Sequence, residues 1–249
     1  MMKSRTTRAI FIGIGSALGA AVAGGVVLRY AQKRRERSKG TLPAGRDPSV
    51  PNLAIYRWYA PVYDRLFGPL LQACRRQSVQ WLALCPGERL LISGVGTGLD
   101  LPLIDANVRV TGVDISLDML RQAAQKRSAA QVELRQMDAQ ALELPAESYD
   151  AVLLNLILSV APDGTQVLKE AWRMLRPGGR IVIFDKFLPE EQAMSAGRAA
   201  LGVLIRLAGT DPNRRISEML AQVPGAEVIR NQPSIFQGQY RLILLRKPG

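Results

Sequence analysis

The sequence predicts an α/β fold, a mostly parallel sheet with helices on both faces, joined to an N-terminal transmembrane helix. Three observations carry the prediction. Strand-like segments at 89–93, 109–114, 132–136, 151–155 and 180–185 alternate with helical stretches such as 117–127 and 166–175, and that alternation calls for parallel strands linked by crossover helices. The junction after the first strand reads LLISGVGTGLD from Leu90 to Asp100. Residues 9–28 form a 20-residue run without a charge, and at 1.5 Å per residue a helix of that length reaches across about 30 Å of hydrocarbon.

The glycine junction organises the chain. Gly94, Gly96 and Gly98 stand at every second position, so the backbone turns tightly with no side chain in the way and main-chain N–H groups are open to a ligand. An acidic residue ending the next strand can then hold ribose hydroxyls, and Asp114 closes the segment VRVTGVD. Taken alone the glycines also fit an ordinary surface turn; with Asp114 they point to a ligand site. A nicotinamide dinucleotide fits less well, because its fingerprint needs a glycine three residues after Gly96, where Leu99 stands.

From these residues the chain resembles a known family. GVGTG, VTGVDIS with Asp114, QMDA with Asp138, YDAVLLN and LRPGGRIVIFDKF look like the successive motifs of class I S-adenosylmethionine-dependent methyltransferases, spread over 56–247. RWYAPVYDRLFG and FDKFL bring the likeness nearest to phospholipid N-methyltransferases and the related quinone methyltransferases. The resemblance implies a Rossmann-like seven-stranded sheet whose last strand is antiparallel, with S-adenosyl-L-methionine as cofactor. It implies a binding site of Gly94, Gly96 and Gly98, of Asp114 with Ile115, and of Met137, Asp138 and Ala139. Asp114 would accept from both ribose hydroxyls and Asp138 from the adenine amine. Asn155 would face the methyl-transfer point and contribute to the cofactor site. Tyr56, Tyr59, Tyr63 and Asp64 would sit on an N-terminal helix folded over the site, with Tyr59, Tyr63 and Asn155 as candidate catalytic residues. One position departs from the pattern. The family usually carries Asp or Glu two residues before the first glycine, helping to bind the cofactor's ammonium group, and here that residue is Ile92. Asp100, just past the turn, is the candidate replacement; it fits equally as a carboxylate stabilising a helix N-terminus.

Composition bounds the rest. The 249 residues, 47% hydrophobic, suffice for one α/β core with an appendage. They divide into an anchor with basic flanks at 1–40, a Pro- and Gly-containing linker at 41–55 and a domain at 56–249, with N-terminal helices over 56–85 and an insertion over 189–225. Net charge is +12, yet residues 1–40 hold nine Lys or Arg against the single Glu36, so most of it sits beside the uncharged run. That suits an anionic membrane surface rather than nucleic acid, for which the domain offers no basic stripe with interleaved aromatics. The basic cluster at 29–39 outweighs Lys3, Arg5 and Arg8, which puts the domain on the cytoplasmic side of the cytoplasmic membrane. A competing reading is a signal peptide cleaved after Ala21-Val22-Ala23. Gly15 and Gly19 have the spacing of a helix-pairing motif, which would support a homodimer, or carry no such meaning. Cys74 and Cys85 read as small buried hydrophobes, with no metal site expected. The chain has no histidine, so the commonest general base is absent.

Late in the chain, Pro177-Gly178-Gly179 reads as a turn entering the fifth strand, and 226–235 with 240–246 as an antiparallel pair across Gly238. The stretch from Ala193, AMSAGRAALGVLIRLAG, reads either as a helix lying on a membrane, Arg198 and Arg206 snorkelling, or as one covering the sheet. Asp211-Pro212-Asn213 looks like a helix start, and Arg214 and Arg215 either pair with a lipid phosphate or are solvated. The expected protein is a membrane-anchored methyltransferase of an amphipathic, lipid-like acceptor, a phospholipid head-group amine before a prenylated quinone. Ile92 prompts a rival, a non-catalytic methyltransferase-like membrane scaffold.

Overall fold

The structure is a computed structural model that describes residues 71–188, 190, 213–235 and 238–249. The uncharged run, the linker, Tyr56, Tyr59, Tyr63, Asp64 and the apolar stretch after Ala193 lie outside the described residues. Among the described residues no helix is long and apolar enough to cross a membrane.

Seven strands form one sheet in the order β3-β2-β1-β4-β5-β7-β6. They are β1 (Arg89–Ser93), β2 (Arg109–Asp114), β3 (Gln131–Gln136), β4 (Tyr149–Asn155), β5 (Leu175–Lys186), β6 (Glu227–Pro233) and β7 (Tyr240–Arg246). β1 to β5 pair in parallel, and β7 runs antiparallel to both β5 and β6. The helices are α1 over 71–82, α2 (Leu117–Ala123), α3 (Gly164–Met174) and α4 (Ile216–Leu220).

Alternation along the central strands gives the sheet two apolar faces. Leu90, Ile92, Ala151, Leu153, Val182 and Phe184 face α1 and α2. Leu91, Val152, Leu154, Ile181 and Ile183 face α3 and α4. Every residue of β4 is buried. Arg180 ties α1 to the sheet: its guanidinium donates to the carbonyls of Leu82 and Ala83 and grips Glu88 at 2.8 and 2.6 Å. That bond holds the Glu88 carboxyl below the usual carboxylate range, against the opposing effect of burial.

The structure shifts several expected boundaries. α2 starts at its Ser116 cap but stops at Ala123, four residues before Arg127, where Gln125 and Lys126 tighten into bonds three residues back. α3 starts at Gly164 because the Asp163 side chain accepts from Gln166 N–H at 3.0 Å. β5 begins at Leu175, which pairs with Tyr149; the Pro177-Gly178-Gly179 turn is a bulge within the strand, and pairing resumes at Arg180 with Ala151. α4 begins at Ile216 with no side-chain cap from Arg215; the Glu190 carboxylate accepts from Ser217 N–H at 3.2 Å instead, while Asn213 lies in a turn. Cys74 is buried as expected, but Cys85, in the Pro86-Gly87 turn, is exposed.

Candidate active site

Chain order reverses between β1 and β4, the place in an open parallel sheet where a crevice forms outside the strand C-termini. The glycine turn occupies it. Gly94 and Val95 N–H both donate to Val113 O, at 2.9 and 2.8 Å, stitching the turn to β2. The three glycines have φ of 75°, 55° and 77°, a region where L side chains are strained. A Cβ on Gly94 would sit 2.7 Å from Ile157 and one on Gly98 2.9 Å from the Ala123 backbone, whereas beside Gly96 nothing lies within 4 Å. The turn is packed at its outer glycines and open at the middle one.

Gly96 N–H donates to Asp114 Oδ2 and Ser116 N–H to Oδ1, both at 2.9 Å. The two bonds fix the carboxylate at the end of β2 and leave each oxygen further acceptor capacity. Burial pushes the Asp114 carboxyl above its ordinary value, and bonds from the Ser116, Gly96 and Ile115 backbones only partly offset this. Met137 N–H donates to Asp114 O at 3.1 Å, bringing Met137, Asp138 and the buried Ala139 beside β2. Gln140 donates to both Asp138 oxygens, from Nε2 at 3.1 Å to each. Ile115 O accepts from Gln136 Nε2 at 3.0 Å. The expected cofactor residues thus collect along the C-terminal edges of β3, β2, β1 and β4.

Asn155, ending β4, is 5% exposed. Its Nδ2 donates to Ser78 Oγ at 3.0 Å and to Asp100 Oδ1 at 2.9 Å. Asp100, 1% exposed, accepts on Oδ2 from Arg75 Nη1 at 2.8 Å. Asp100 precedes the short turn Leu101–Leu103 but makes no side-chain cap there, so its carboxylate is spent on this cluster. Asn155 Oδ1 and Ser93 Oγ are buried with no hydrogen-bond partner. Ile92 lies in the apolar layer under α1.

Arg75 and Ser78 carry no motif, and sequence reasoning missed them. Their signal was positional: Leu71, Cys74, Val79 and Leu82 mark the buried stripe of α1, and a helix puts 75 and 78 on that same stripe. Asp185 was read only as part of a strand. It lies one residue before the end of β5, fully buried, accepting from Ser159 N–H at 3.1 Å and Lys186 N–H at 2.7 Å, and burial drives its carboxyl upward. Arg214 is neither solvated nor turned to a phosphate. It donates to the carbonyls of Leu158, Ala161 and Pro162, the latter two at 2.8 Å. Arg215 donates to Glu190 O at 2.8 Å.

A family profile for the methyltransferase domain matches residues 91–183. A phosphatidylethanolamine N-methyltransferase from Cereibacter sphaeroides is 35% identical over 181 residues, 71% of this chain and 87% of that protein. The chain belongs to the class I S-adenosylmethionine-dependent methyltransferases. A 2-phytyl-1,4-naphtoquinone methyltransferase from Synechococcus elongatus is 35% identical over 149 residues, 54% of this chain and 63% of that one. A solved S-adenosylmethionine-dependent methyltransferase from Thermotoga maritima shares the fold with a TM-score of 0.57, at 21% identity over 78% of this chain and 99% of that chain. The protein is therefore an S-adenosylmethionine-dependent methyltransferase.

The residues of this methyltransferase fit its cofactor. The open side of Gly96, the oriented Asp114 carboxylate and the orphaned Asn155 oxygen offer room, an acceptor for hydroxyls and an acceptor for a further donor. When bound, the cofactor supplies a methyl group on a positively charged sulfur. The chain has to align an acceptor with it and exclude water.

Proposed function

We propose that this methyltransferase is held at the cytoplasmic face of the cytoplasmic membrane by residues 1–40 and methylates a phospholipid head-group amine. The observation that carries the reading is the 35% identity extending over 87% of a phosphatidylethanolamine N-methyltransferase. The uncharged run and its basic flank add a physical reason, because an anchor confines the enzyme to the plane in which a lipid acceptor resides. Histidine is absent from the chain, and a neutral amine attacks without a strong base, whereas a quinol carbon profits from one.

The full-length chain, given methyl-labelled cofactor and vesicles of phosphatidylcholine with and without phosphatidylethanolamine, is expected to label the amine lipid. Label recovered instead in a prenylated naphthoquinol added to the same vesicles would move the acceptor to the quinone class. The anchor has its own test: the intact chain should stay with membranes through a high-salt wash, since salt screens only the electrostatic part of attachment. Release by salt alone would rule out a spanning helix, and a mature chain beginning at Gly24 would identify a cleaved signal.

A further inference from the structure

β6 closes one edge of the sheet, with β7 as its one neighbour there. Every residue of β6 is exposed. Among the described residues three large hydrophobics are exposed, and two of them, Val228 at 48% and Ile229 at 46%, stand side by side on this strand. An edge of that kind sets unpaired backbone groups beside apolar side chains, which makes it a template for another strand.

A bulge decides what the edge can accept. Val228 pairs with Leu245 and Arg230 with Leu244, so Ile229 is an extra residue with no partner on β7. In a regular strand, residues three apart point to opposite faces. Here the extra residue brings Glu227 and Arg230 to one face, because they pair with Arg246 and Leu244, which are two apart on β7. The Arg230 guanidinium lies 4.5 Å from the centre of the Trp81 ring on α1, on that same face. Val228 and Ile229 stand together opposite Leu245, on the face that α3 and α4 cover nearer the centre of the sheet. The edge thus reads acid, apolar, apolar, base, with the charged pair on one face and the apolar pair on the other.

That order is its own antiparallel complement. When a second copy runs alongside about a two-fold axis, Glu227 of each copy meets Arg230 of the other, and Val228 of each meets Ile229. Like faces meet only because of the bulge. Opposite charges and branched apolar side chains directly across from each other are favourable pairs between antiparallel strands. The Glu227 side chain has no ion pair among the described residues, so the contact supplies one. A strand of another pattern would set these charges against apolar residues, which favours this chain's own copy as the partner.

We propose that the β6 edge joins two copies of this chain into a two-fold dimer, in the register that sets Glu227 against Arg230 and Val228 against Ile229. The two sheets become one continuous sheet. β4, β5 and β7 stand between β6 and the glycine turn that follows β1, so both cofactor sites stay open. The contact is independent of any pairing through Gly15 and Gly19 and of the acceptor's identity.

The test is the protein mass of the full-length chain in detergent, measured by light scattering over a range of concentrations. The wild type is expected to dimerise. Glu227→Arg sets two cations face to face at each end of the contact and should weaken the dimer by about tenfold or more. Glu227→Arg with Arg230→Glu restores opposite charges in reversed order and should recover most of the loss. Cofactor affinity should match the wild type throughout, which reports that the variants fold. The register has its own measurement, which needs no change of charge: chains bearing Val228→Cys and Ile229→Cys, each with Cys85→Ser, are mixed and oxidised. The mixture should give more disulfide-linked dimer than either variant alone. A monomeric wild type, a dimer indifferent to Glu227→Arg, no recovery in the double variant, or no excess cross-linking in the mixture would overturn the proposal.

Discussion

Replacing Asp114 by asparagine is expected to lower affinity for S-adenosylmethionine by about 1.5–3 kcal/mol, roughly 10- to 150-fold. The carboxylate is already oriented by Gly96 and Ser116 N–H, and its remaining lone pairs are what two ribose hydroxyls need. Asparagine keeps the size but has one acceptor oxygen in place of two. It must then abandon a backbone N–H or a hydroxyl. The ionised form does the accepting, and burial holds the Asp114 carboxyl above its ordinary value. Affinity in the wild type should therefore rise with pH through a window lying above that of an ordinary aspartate, and this rise should vanish in Asp114→Asn. Stability linked to the same group has the opposite sign. A raised carboxyl holds its proton more firmly in the folded chain, so its contribution falls as pH rises from the unfolded value to the folded one. Calorimetry at stepped pH, with melting curves alongside, separates the two. Unchanged affinity in a folded Asp114→Asn protein would remove the ribose assignment.

How much of this site was legible in the sequence follows from the distance over which each residue acts. Gly94, Gly96, Gly98 and Asp114 were legible because their signal is local: a strand end, a turn that excludes side chains, and an acid at the next strand end. β1 and β2 have the expected limits for a similar reason, since both are short apolar runs bounded by turn residues. β5 is longer than its sequence suggests because Leu175 is held by Tyr149 across the sheet, a partner no local pattern reveals. The polar cluster was illegible in the same sense. Asn155 meets Ser78 across 77 residues and Asp100 across 55. Asp100 was singled out for its charge, but that its carboxylate makes no cap and meets Asn155 and Arg75 instead is set by the fold, not by any local pattern. Arg75 was missed because a basic residue on an apolar helix stripe looks like a surface residue until its partner is known. Asp185 likewise hides within an apolar strand, and its raised carboxyl is a product of burial that composition cannot show.

Arg214→Met is expected to cost about 2–4 kcal/mol and to lower the melting temperature by roughly 5–15 °C. The guanidinium satisfies the carbonyls of Leu158, Ala161 and Pro162 at once, and Leu158 is fully buried, so water cannot replace the lost donor at that oxygen. The room for this arrangement comes from Gly164, where a Cβ would strike both the Leu158 carbonyl and the guanidinium. Methionine preserves most of the apolar stem, which confines the loss to the hydrogen bonds. Asp185 grips the same segment through Ser159 N–H, so the loop after β4 keeps one tether and the fold survives the change. That loop carries Ile157, the side chain packed against Gly94. Loosening it therefore reaches the glycine turn, and a several-fold loss of cofactor affinity should accompany the lower melting temperature. Arg214→Lys separates donor loss from shape: its ammonium is a compact charge that cannot span three carbonyls as a planar guanidinium does, so its cost should fall between wild type and methionine. A melting temperature unchanged in Arg214→Met would mean that the three carbonyls are satisfied by another route and that the loop does not depend on this residue.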